Sequence, residues 1–387
     1  MDISEIINEL GEDRDSYFHA IAPPIIQTSN FAFRTVDIFR QALSREYDHM
    51  VYSRGKNPTT EIIRKKLAAL DEAEDCLVVN SGAAAIFLSV FANVNQGDHI
   101  ISVADPYSWA FKLFTVILPR FGITCSFVNG SRIENFASAI RPETKLIYLE
   151  TPNSWNFELQ DLEAVAQLAK PKNIITICDN SYSTPLFQKP IPLGIDISIQ
   201  SATKYISGHS DTVAGVISAS ADMIKKIFST EFMSVGSGIQ PMNAWFLLRG
   251  LRTLPLRLQH GERIVRSIMD YLDTDSRIGK VIHPFHKDFS QKELAGKQMK
   301  GAGSMLTFTL ADSSLERIEQ FCNNLKHILM AVSWGGYESL VIPRAATMPS
   351  GDFNPLIPGH HHIRLYAGLE EPEYIIEDIR QSLESLG

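Results

Sequence analysis

The sequence is poor in cysteine, carries no excess of basic residues and has no long apolar run. Its cysteines are far apart and show no CxxC or Cys/His metal-binding spacing; they are Cys76, Cys125, Cys178 and Cys322. We therefore expect buried thiols in a reducing compartment and no metal site. The formal net charge of −8 argues against general binding to nucleic acid or to anionic membranes, and no apolar stretch reaches transmembrane length. Because the acidic N-terminus is unlike a signal peptide, these absences predict a cytoplasmic protein.

The length and the pattern of the chain predict more than one domain. The 387 residues are too many for one compact core. Between about residues 76 and 219, short apolar segments alternate with helical patterns, which predicts an α/β domain with a mostly parallel sheet. A long helical region near 236–275 is followed by a smaller α+β pattern, with strands near 304–310, 327–334 and 361–367. We predict an arm over 1–58 that contacts a neighbouring subunit, a large domain over 59–250 and a C-terminal domain over 251–387.

Polar side chains follow several of the predicted strands. Glu150, Asp179 and Lys204 each come soon after an apolar segment, and Ser81 precedes a helix of small residues. Because ligands of such sheets bind at the carboxyl ends of the strands, we expect these groups to gather at one edge. Burial lowers the pKa of a lysine and makes its amine nucleophilic, so Lys204 is suited to hold a carbonyl cofactor through a Schiff base. A surface lysine at a strand end is the commoner alternative.

Neighbouring residues offer what a phosphorylated pyridine aldehyde requires. The segment Ser81-Gly82-Ala83 opens a helix, where free backbone N–H groups and the helix dipole bind anions. Arg54 and Tyr52 offer further hydrogen-bond donors to a phosphate. Asp179 offers a carboxylate that can pair with a protonated ring nitrogen, and Tyr107 offers an aromatic face on which the ring can stack. Each has a structural alternative, such as an N-cap for Asp179 or a turn aromatic for Tyr107. Together they predict a site for pyridoxal phosphate.

Six segments form an ordered set of motifs along nearly the whole chain. They are Tyr52–Thr59, Asn80–Gly82, Asp179–Tyr182, Ser201–Asp211, Ser333–Leu340 and Arg364–Glu370. In content and order these motifs resemble those of the Cys/Met-metabolism, or trans-sulfuration, family, which holds cystathionine β- and γ-lyase, cystathionine γ-synthase and methionine γ-lyase. The resemblance implies pyridoxal-phosphate fold type I, with a mostly parallel central sheet and helices on both faces. It also implies a pyridoxal-phosphate-dependent carbon–sulfur lyase that acts on a small amino acid.

The resemblance further implies a role for each matching residue. Lys204 and Tyr107 are implied to be catalytic, with Lys204 bonded to the cofactor, Tyr107 stacked on its ring and Asp179 paired with the ring nitrogen. The residues implied to hold the phosphate are Ser81, Gly82, Ala83, Ser201 and Thr203, with Tyr52 and Arg54 reaching the phosphate of the neighbouring subunit. Arg364 is implied to bind the α-carboxylate of the substrate, helped by Ser333 and Asn153. The family is usually a tetramer of catalytic dimers, so a homotetramer is expected.

The sequence departs from the family pattern at several positions, one of which lies in the motif that begins at Glu150. The family commonly has Glu-x-Pro-x-Asn-Pro, whereas this chain ends the motif with Ser154 and Trp155, so the asparagine is either replaced by Ser154 or shifted to Asn153. Trp109 and Trp334 also bear on the choice of substrate. The reaction is therefore left open between β- or γ-elimination from cystathionine, methionine or a related amino acid, and γ-replacement on an O-acyl-homoserine.

Three other classes of protein are compatible with parts of the pattern. A fold type I aminotransferase would share Lys204 and Asp179, but it would not be expected to carry Tyr52 and Arg54 on an arm. A non-enzymatic binding or scaffold protein would not be expected to keep the whole set. A metal site at His360–His362 is disfavoured, because a strand would point alternate side chains to opposite faces.

Overall fold

The chain folds around two β-sheets that one long helix connects. A computed structural model describes residues 1–386. The strands are β1 Asp75–Val79, β2 His99–Val103, β3 Thr124–Val128, β4 Thr144–Glu150, β5 Ile175–Asp179, β6 Ile197–Gln200, β7 Gly215–Ala219, β8 Ile278–Ile282, β9 Met305–Leu310, β10 Leu329–Met330, β11 Leu340–Pro343 and β12 Ile363–Tyr366.

The α-helices vary from single turns to one helix of 32 residues. They are α1 Ile3–Asn8, α2 Val36–Ser44, α3 Pro58–Asp71, α4 Gly82–Phe91, α5 Ser108–Lys112, α6 Ile133–Ala139, α7 Leu162–Ala169, α8 Thr184–Phe187, α9 Ala221–Ile227, α10 Met233–Val235, α11 Pro241–Leu272, α12 Lys292–Gln298, α13 Leu315–Asn324 and α14 Pro372–Glu384. Short 3₁₀ turns cover Arg14–Tyr17, Leu118–Phe121, Lys170–Lys172, Arg344–Thr347, Ser350–Asp352 and Pro358–His361, and π-helical turns cover Leu113–Ile117 and Phe228–Phe232.

The larger sheet has seven strands in the order β1-β7-β6-β5-β4-β2-β3. Strand β7 is antiparallel to both of its neighbours, and the other adjacent pairs are parallel. Because successive side chains of a strand point to opposite faces, Leu77 and Ile100 share a core with α4, α5 and α9, whereas Cys76 packs with α3 and α11, and Ile101 with α6 and α7. The predicted α/β fold, with a mostly parallel sheet and helices on both faces, is confirmed.

The smaller sheet has five strands in the order β10-β11-β12-β9-β8, and only the β10–β11 pair is parallel. Its core includes α13, α14 and the C-terminal half of α11, through residues such as Ile264 and Ile268. Leu247 and Leu251, from the N-terminal half of α11, belong to the core of the larger sheet. Residue 250 therefore lies inside α11, and the division into an arm and two domains stays a prediction.

One predicted strand differs in length from the observed one. The strand expected over 327–334 is limited to Leu329–Met330. The chain turns away afterwards, because Ser333 and Gly335 adopt the positive φ angles of 88° and 87°. Two short strands that the pattern did not predict, β8 and β11, complete the smaller sheet.

The described residues contain neither a membrane-spanning helix nor a cluster of metal-ligating side chains. None of the helices within residues 1–386 is both long and apolar enough to cross a membrane. Over the same residues, no group of three or more His, Cys, Asp or Glu side chains is arranged to hold a metal ion. His360 and His361 lie in a 3₁₀ turn rather than in a strand.

Candidate active site

The carboxyl ends of β1, β4, β5 and β6 meet around one cavity of about 200 Å³. Its lining includes the predicted site residues Ser81, Gly82, Ala83, Tyr107, Asp179, Ser201, Thr203 and Lys204. Much of the remaining wall is formed by Glu150, Ser154, Ser181, Val213 and Trp334. The expectation that the polar strand-end residues gather at one edge of the sheet is therefore confirmed.

Lys204 is the only lysine in the wall of this cavity. Its Nζ donates a hydrogen bond to Ser333 Oγ at 2.5 Å and lies 4.4 Å from the centre of the Trp334 ring. Burial, with a smaller contribution from the charge of Arg364, lowers the pKa of Lys204 to about 8, although Asp179 partly opposes this. A larger fraction of this amine than of an ordinary lysine is therefore unprotonated near neutral pH, and the unprotonated form is the one that attacks a carbonyl carbon.

The segment of Ser333 and Gly335 fixes the environment of that amine. Ser333 is a non-glycine residue in the left-handed region, with φ of 88°, and this conformation costs energy. Gly335, with φ of 87°, passes so close to Lys204 that an added Cβ would lie 2.6 Å from the lysine's carbonyl carbon. Only glycine fits there. The close passage places the Ser333 hydroxyl against the lysine amine.

Two carboxylates, one on the buried Glu150 and one on the partly buried Asp179, lie side by side at the ends of β4 and β5. Glu150 and Asp179 are paired in register, and neither has an ion-pair partner among residues 1–386. Burial raises the pKa of both, that of Glu150 to about 7 with a further contribution from Asp179. Asp179 Oδ1 accepts from the backbone N and the Oγ of Ser181, at 3.0 and 2.6 Å. An ionised Asp179 therefore has no ion-pair partner among the described residues, although the charge of Lys204 acts to lower its pKa.

Glu150 accepts hydrogen bonds from the backbone of two other wall residues. Its Oε2 accepts from Tyr107 N at 2.5 Å, and its Oε1 accepts from Ser154 N at 2.9 Å. Tyr107 itself is partly exposed and precedes the first residue of α5. Burial, followed by the charges of Asp179 and Glu150, raises the pKa of the Tyr107 hydroxyl, so the phenol is protonated at neutral pH.

The N-terminus of α4 forms one wall of the cavity. Ser81 caps the helix by accepting the N–H of Ala84 at 3.1 Å, which leaves the N–H groups of Gly82 and Ala83 without a protein acceptor among the described residues. A Cβ on Gly82 would lie 2.9 Å from Ser201 Cβ, so the two segments can approach only because this residue is glycine. Unpaired N–H groups at a helix N-terminus bind phosphate well.

The hydroxyl groups opposite this helix differ in their partners. Thr203 Oγ1 donates to Ala214 O at 3.1 Å and accepts from Ala214 N at 3.0 Å, so it is already engaged with the backbone. Ser201 donates its backbone N–H to Ser181 Oγ at 2.6 Å, and its own hydroxyl has no partner among residues 1–386. Ser201 therefore has the freer hydroxyl for a ligand.

Arg364, on β12 of the smaller sheet, is buried next to the cavity. It is only 6% exposed, and it has no ion-pair partner among the described residues. Its Nη1 donates to Ser154 O at 3.0 Å, and its guanidinium carbon lies 4.8 and 5.0 Å from the ring centres of Trp155 and Trp334. Burial lowers the pKa of Arg364 to about 10, so the group stays cationic at neutral pH. It is a buried cation without an anion.

The remaining predicted residues are not in the cavity wall. Tyr52 and Arg54 lie on the exposed surface of the N-terminal arm. The side chain of Asn153 is used locally, since Nδ2 donates to Asp105 O at 2.9 Å and Oδ1 accepts from Trp155 N at 2.9 Å. In this turn the polar side chain that reaches the cavity is that of Ser154. The role predicted for Asn153 stays a prediction.

Comparison with known proteins accounts for this arrangement. The profile of the family described as Cys/Met metabolism PLP-dependent enzyme matches residues 5–384. The chain belongs to this family. The predicted family, fold and cofactor, pyridoxal phosphate, are therefore confirmed, and this family member is a pyridoxal-phosphate-dependent enzyme of Cys/Met metabolism.

Similar proteins come from several organisms. This Cys/Met-metabolism enzyme is 35% identical to an L-methionine gamma-lyase of Treponema denticola, over 95% of this chain and 94% of that one. It is 34% identical to a cystathionine gamma-lyase of Bacillus subtilis, over 95% of each chain. Among solved structures, metB from Corynebacterium glutamicum has a TM-score of 0.92 at 30% identity and covers 100% of this chain and 99% of its own.

The wall residues of this Cys/Met-metabolism enzyme fit pyridoxal phosphate. Lys204 supplies an amine whose lowered pKa suits bonding to the aldehyde. The carboxylate of Asp179 has no ion-pair partner among residues 1–386, which suits a protonated ring nitrogen. The N–H groups of Gly82 and Ala83, which have no acceptor among the described residues and belong to the cavity wall, suit the phosphate.

Sequence reasoning missed some wall residues that the family member uses to build its site. Ser181 follows Asp179 by two residues, a spacing at which a carboxylate commonly accepts the backbone N–H and a hydroxyl, so the sequence did contain a signal for it. Glu150 was recognised as a strand-end group but not as the acceptor for the backbone of Tyr107 and Ser154. The contact between Glu150 and Ser154 bridges a turn, whereas the contact between Glu150 and Tyr107 joins segments that are 43 residues apart. No local sequence pattern indicates the second contact.

Proposed function

We propose that this enzyme cleaves the carbon–sulfur bond of a sulfur amino acid by γ-elimination, with methionine and cystathionine as candidate substrates. The observation that carries the proposal is the cavity itself, which unites a buried amine, a buried carboxylate without a cation and an open helix N-terminus. The relatives that share the chain over nearly its whole length are named methionine and cystathionine gamma-lyases, which supports γ- over β-chemistry.

Lys204 is proposed as the residue that holds the cofactor and, once the substrate replaces it, moves the Cα proton. Its low pKa and the contact with Ser333 Oγ support this role, because the free amine acts as a base near neutral pH. Asp179 is proposed to keep the ring nitrogen protonated, and Tyr107 to stack on the ring and assist proton transfer. When bound, pyridoxal phosphate supplies the electron sink that stabilises negative charge at Cα.

The phosphate is proposed to lie between the start of α4 and the β6 end. Its proposed donors are Ser81, Gly82 and Ala83 together with Ser201 and Thr203. The two unpaired backbone N–H groups and the free Ser201 hydroxyl support this placement. Thr203 contributes less directly, since its hydroxyl is bonded to Ala214.

Arg364 is proposed to bind the α-carboxylate of the substrate, with Ser333 beside it. A buried guanidinium without an anionic partner supports this, because an unpaired buried charge is costly unless a ligand pairs with it. Between the two residues left open by the sequence, Ser154 has the better position for a contact with the ligand, since the amide of Asn153 is engaged in its turn.

A product assay tests the reaction. The purified enzyme is incubated separately with methionine, cystathionine, homocysteine, cysteine and an O-acyl-homoserine plus cysteine. γ-Elimination from methionine takes up water and yields 2-oxobutyrate, methanethiol and ammonia, so 2-oxobutyrate that is absent with Lys204→Ala is the expected result. Lys204→Ala should lose at least about a thousandfold in kcat. Formation of pyruvate alone, or amino-group exchange without loss of sulfur or ammonia, would contradict the proposal.

β-Elimination is the second candidate, and Trp334 in the cavity wall favours it. The motif that contains this tryptophan resembles that of some cystathionine β-lyases, and the ring narrows the space beside Lys204. In the same assay this reaction yields pyruvate from cystathionine. A new thioether from the O-acyl-homoserine would instead reveal γ-replacement.

We also propose a homo-oligomer, a tetramer of catalytic dimers, in which Tyr52 and Arg54 contact the phosphate of the neighbouring subunit. Both lie exposed on an arm outside their own cavity, and the arm exposes large apolar side chains such as Phe18 (97%) and Ile21 (81%). Exposed apolar groups of this size favour burial against a partner. The reduced cysteines support a cytoplasmic location, which cell fractionation would test.

Hybrid oligomers test the shared site sharply. Lys204→Ala and Arg54→Ala are each expected to be inactive or strongly impaired alone. When the two are co-expressed, half of randomly formed dimers are hybrids with one intact site, so about a quarter of wild-type activity should return. Separately purified proteins that are not allowed to exchange subunits serve as the control. Activity no greater than the sum of the two parents would refute the shared site.

A further inference from the structure

The indole of Trp155 lies against the one buried arginine beside the cavity. Its ring centre is 4.8 Å from the guanidinium carbon of Arg364, and Trp334 is 5.0 Å from the same carbon. A buried guanidinium is normally satisfied by a carboxylate, but Arg364 has none among residues 1–386 and makes one hydrogen bond, to Ser154 O. Aromatic rings therefore replace the usual anionic partner.

This replacement has a geometric consequence. A guanidinium attracted to the face of an aromatic ring does not use its N–H donors for that attraction, so they remain available for a bidentate contact with a carboxylate. A carboxylate partner within the protein would occupy those same donors. The aromatic contacts thus hold the cation in place and leave N–H donors available to a ligand.

Trp155 is itself fixed from both sides. Its backbone N donates to Asn153 Oδ1 at 2.9 Å, and its backbone O accepts from Thr307 Oγ1 at 2.7 Å. Thr307 is the residue of β9 that pairs in register with Arg364 on β12. The turn that carries Trp155 is therefore tied to the strand position directly beside the arginine.

We infer that Trp155 is a positioning residue that holds Arg364 in the orientation in which it receives the carboxylate of an amino-acid substrate. The inference rests on the proposed role of Arg364 as the carboxylate-binding residue. A second guanidinium, that of Arg344, also lies 4.8 Å from the Trp155 ring centre, but it is paired with Asp105 at 2.9 Å and so is already satisfied.

Binding of glycine tests the inference, because glycine has the carboxylate but no group to eliminate. Its dissociation constant is measured on the cofactor-loaded enzyme from the change in visible absorbance, and KM and kcat are measured with the best sulfur amino acid. Trp155→Leu should raise both the dissociation constant and KM about tenfold, with kcat within about twofold, and Trp155→Phe should recover part of the loss. Cofactor content and its absorbance should be unchanged.

Arg344→Gln is the matched control, since it removes the other cation from the same ring while leaving Trp155 and Arg364 in place. It should leave glycine binding within about twofold of wild type. An equal weakening by Arg344→Gln and Trp155→Leu would overturn the inference, because the effect would then come from Arg344. So would a fall in kcat with unchanged KM in Trp155→Leu.

Failure of the inference can be told apart from failure of the proposed function. If Arg364→Leu does not weaken glycine binding, the proposed carboxylate-binding role is wrong, and the inference fails with it. If Arg364→Leu weakens binding but Trp155→Leu does not, only the inference is wrong. If Trp155→Leu does not fold, Trp155→Phe and Trp155→Met decide, and equal glycine affinity in these two would refute a role for the aromatic face.

Discussion

Asp71 provides a prediction whose size follows from its surroundings. Its carboxylate is completely buried next to β6 and β7. The Oδ1 and Oδ2 atoms accept hydrogen bonds from Gln200 Nε2 at 3.0 and 2.9 Å, and Oδ2 also accepts one from Ser218 Oγ at 2.6 Å. No cation pairs with it among residues 1–386. Burial raises its pKa from 3.8 to about 7. A shift of this size corresponds to about 4 kcal/mol between the two protonation states.

The sign of the effect follows from proton linkage. The folded state binds the proton of Asp71 more tightly than the unfolded state, so the contribution is fully present below pH 3.8 and is lost as the pH rises through about 7. Asp71→Asn stays neutral at every pH. Its Nδ2 can donate to Gln200 Oε1, which is buried and has no partner in the wild-type structure, once the Gln200 amide turns over. Asp71→Asn should therefore match wild type only below pH 3.8, exceed it by about 1–2 kcal/mol at pH 5 and exceed it by about 4 kcal/mol at pH 8.

Urea unfolding at a series of pH values measures this difference in the free energy of unfolding. Asp378→Asn is a control of opposite sign. Burial alone would raise the pKa of Asp378, but the backbone N–H groups of Ile328, Lys326 and His327 together lower it. That variant should be less stable than wild type at pH 7 by about 2 kcal/mol and should approach it as the pH falls through the folded pKa. A difference between Asp71→Asn and wild type that does not change with pH would refute the reasoning.

Two further predictions concern the cavity. Gly82→Ala should weaken binding of pyridoxal phosphate to the apoprotein about tenfold, because its Cβ would lie 2.9 Å from Ser201 Cβ. The control Gly296→Ala should leave the affinity unchanged, because its Cβ would have no atom within 4 Å. Equilibrium titration measures both affinities, and equal affinities would contradict the account of the α4 wall. The rate at which the apoprotein recombines with pyridoxal phosphate should rise with pH through about 8 as Lys204 loses its proton, and Ser333→Ala should move this rise to lower pH because the ammonium loses an acceptor. Stopped-flow absorbance would follow the reaction, and a midpoint that stays in place in Ser333→Ala would exclude that contribution.

The sequence was sufficient for the features that depend on local pattern. Apolar segments between 76 and 219 alternate with helical patterns, and polar residues follow the ends of these segments. The sequence alone therefore predicts that Asp179 and Lys204 lie at one edge of the sheet, as the structure shows. The helix start at Ser81 was likewise visible, because a small hydroxyl residue before small apolar ones is typical of a cap.

Features that depend on long-range contacts could not be predicted in this way. The antiparallel direction of β7 follows from its place between β1 and β6, and its sequence resembles that of the parallel strands. The strand near 327–334 is cut short because Ser333 and Gly335 must pass Lys204, 129 residues earlier in the chain. The stacking of Trp155 on Arg364 joins two sheets, so neither residue's neighbours in sequence indicate it.

Because α11 contributes to both cores, it connects the two sheets that carry the charged groups of the proposed site. Lys204 follows a strand of the larger sheet and Arg364 lies on a strand of the smaller one, so the proposed substrate contact with both residues bridges the two sheets. Pro255 lies inside α11 and has no N–H to donate, so the helix lacks one backbone hydrogen bond between its two halves. The distance between the Lys204 amine and the Arg364 guanidinium therefore depends partly on α11, although no residue of α11 lines the cavity.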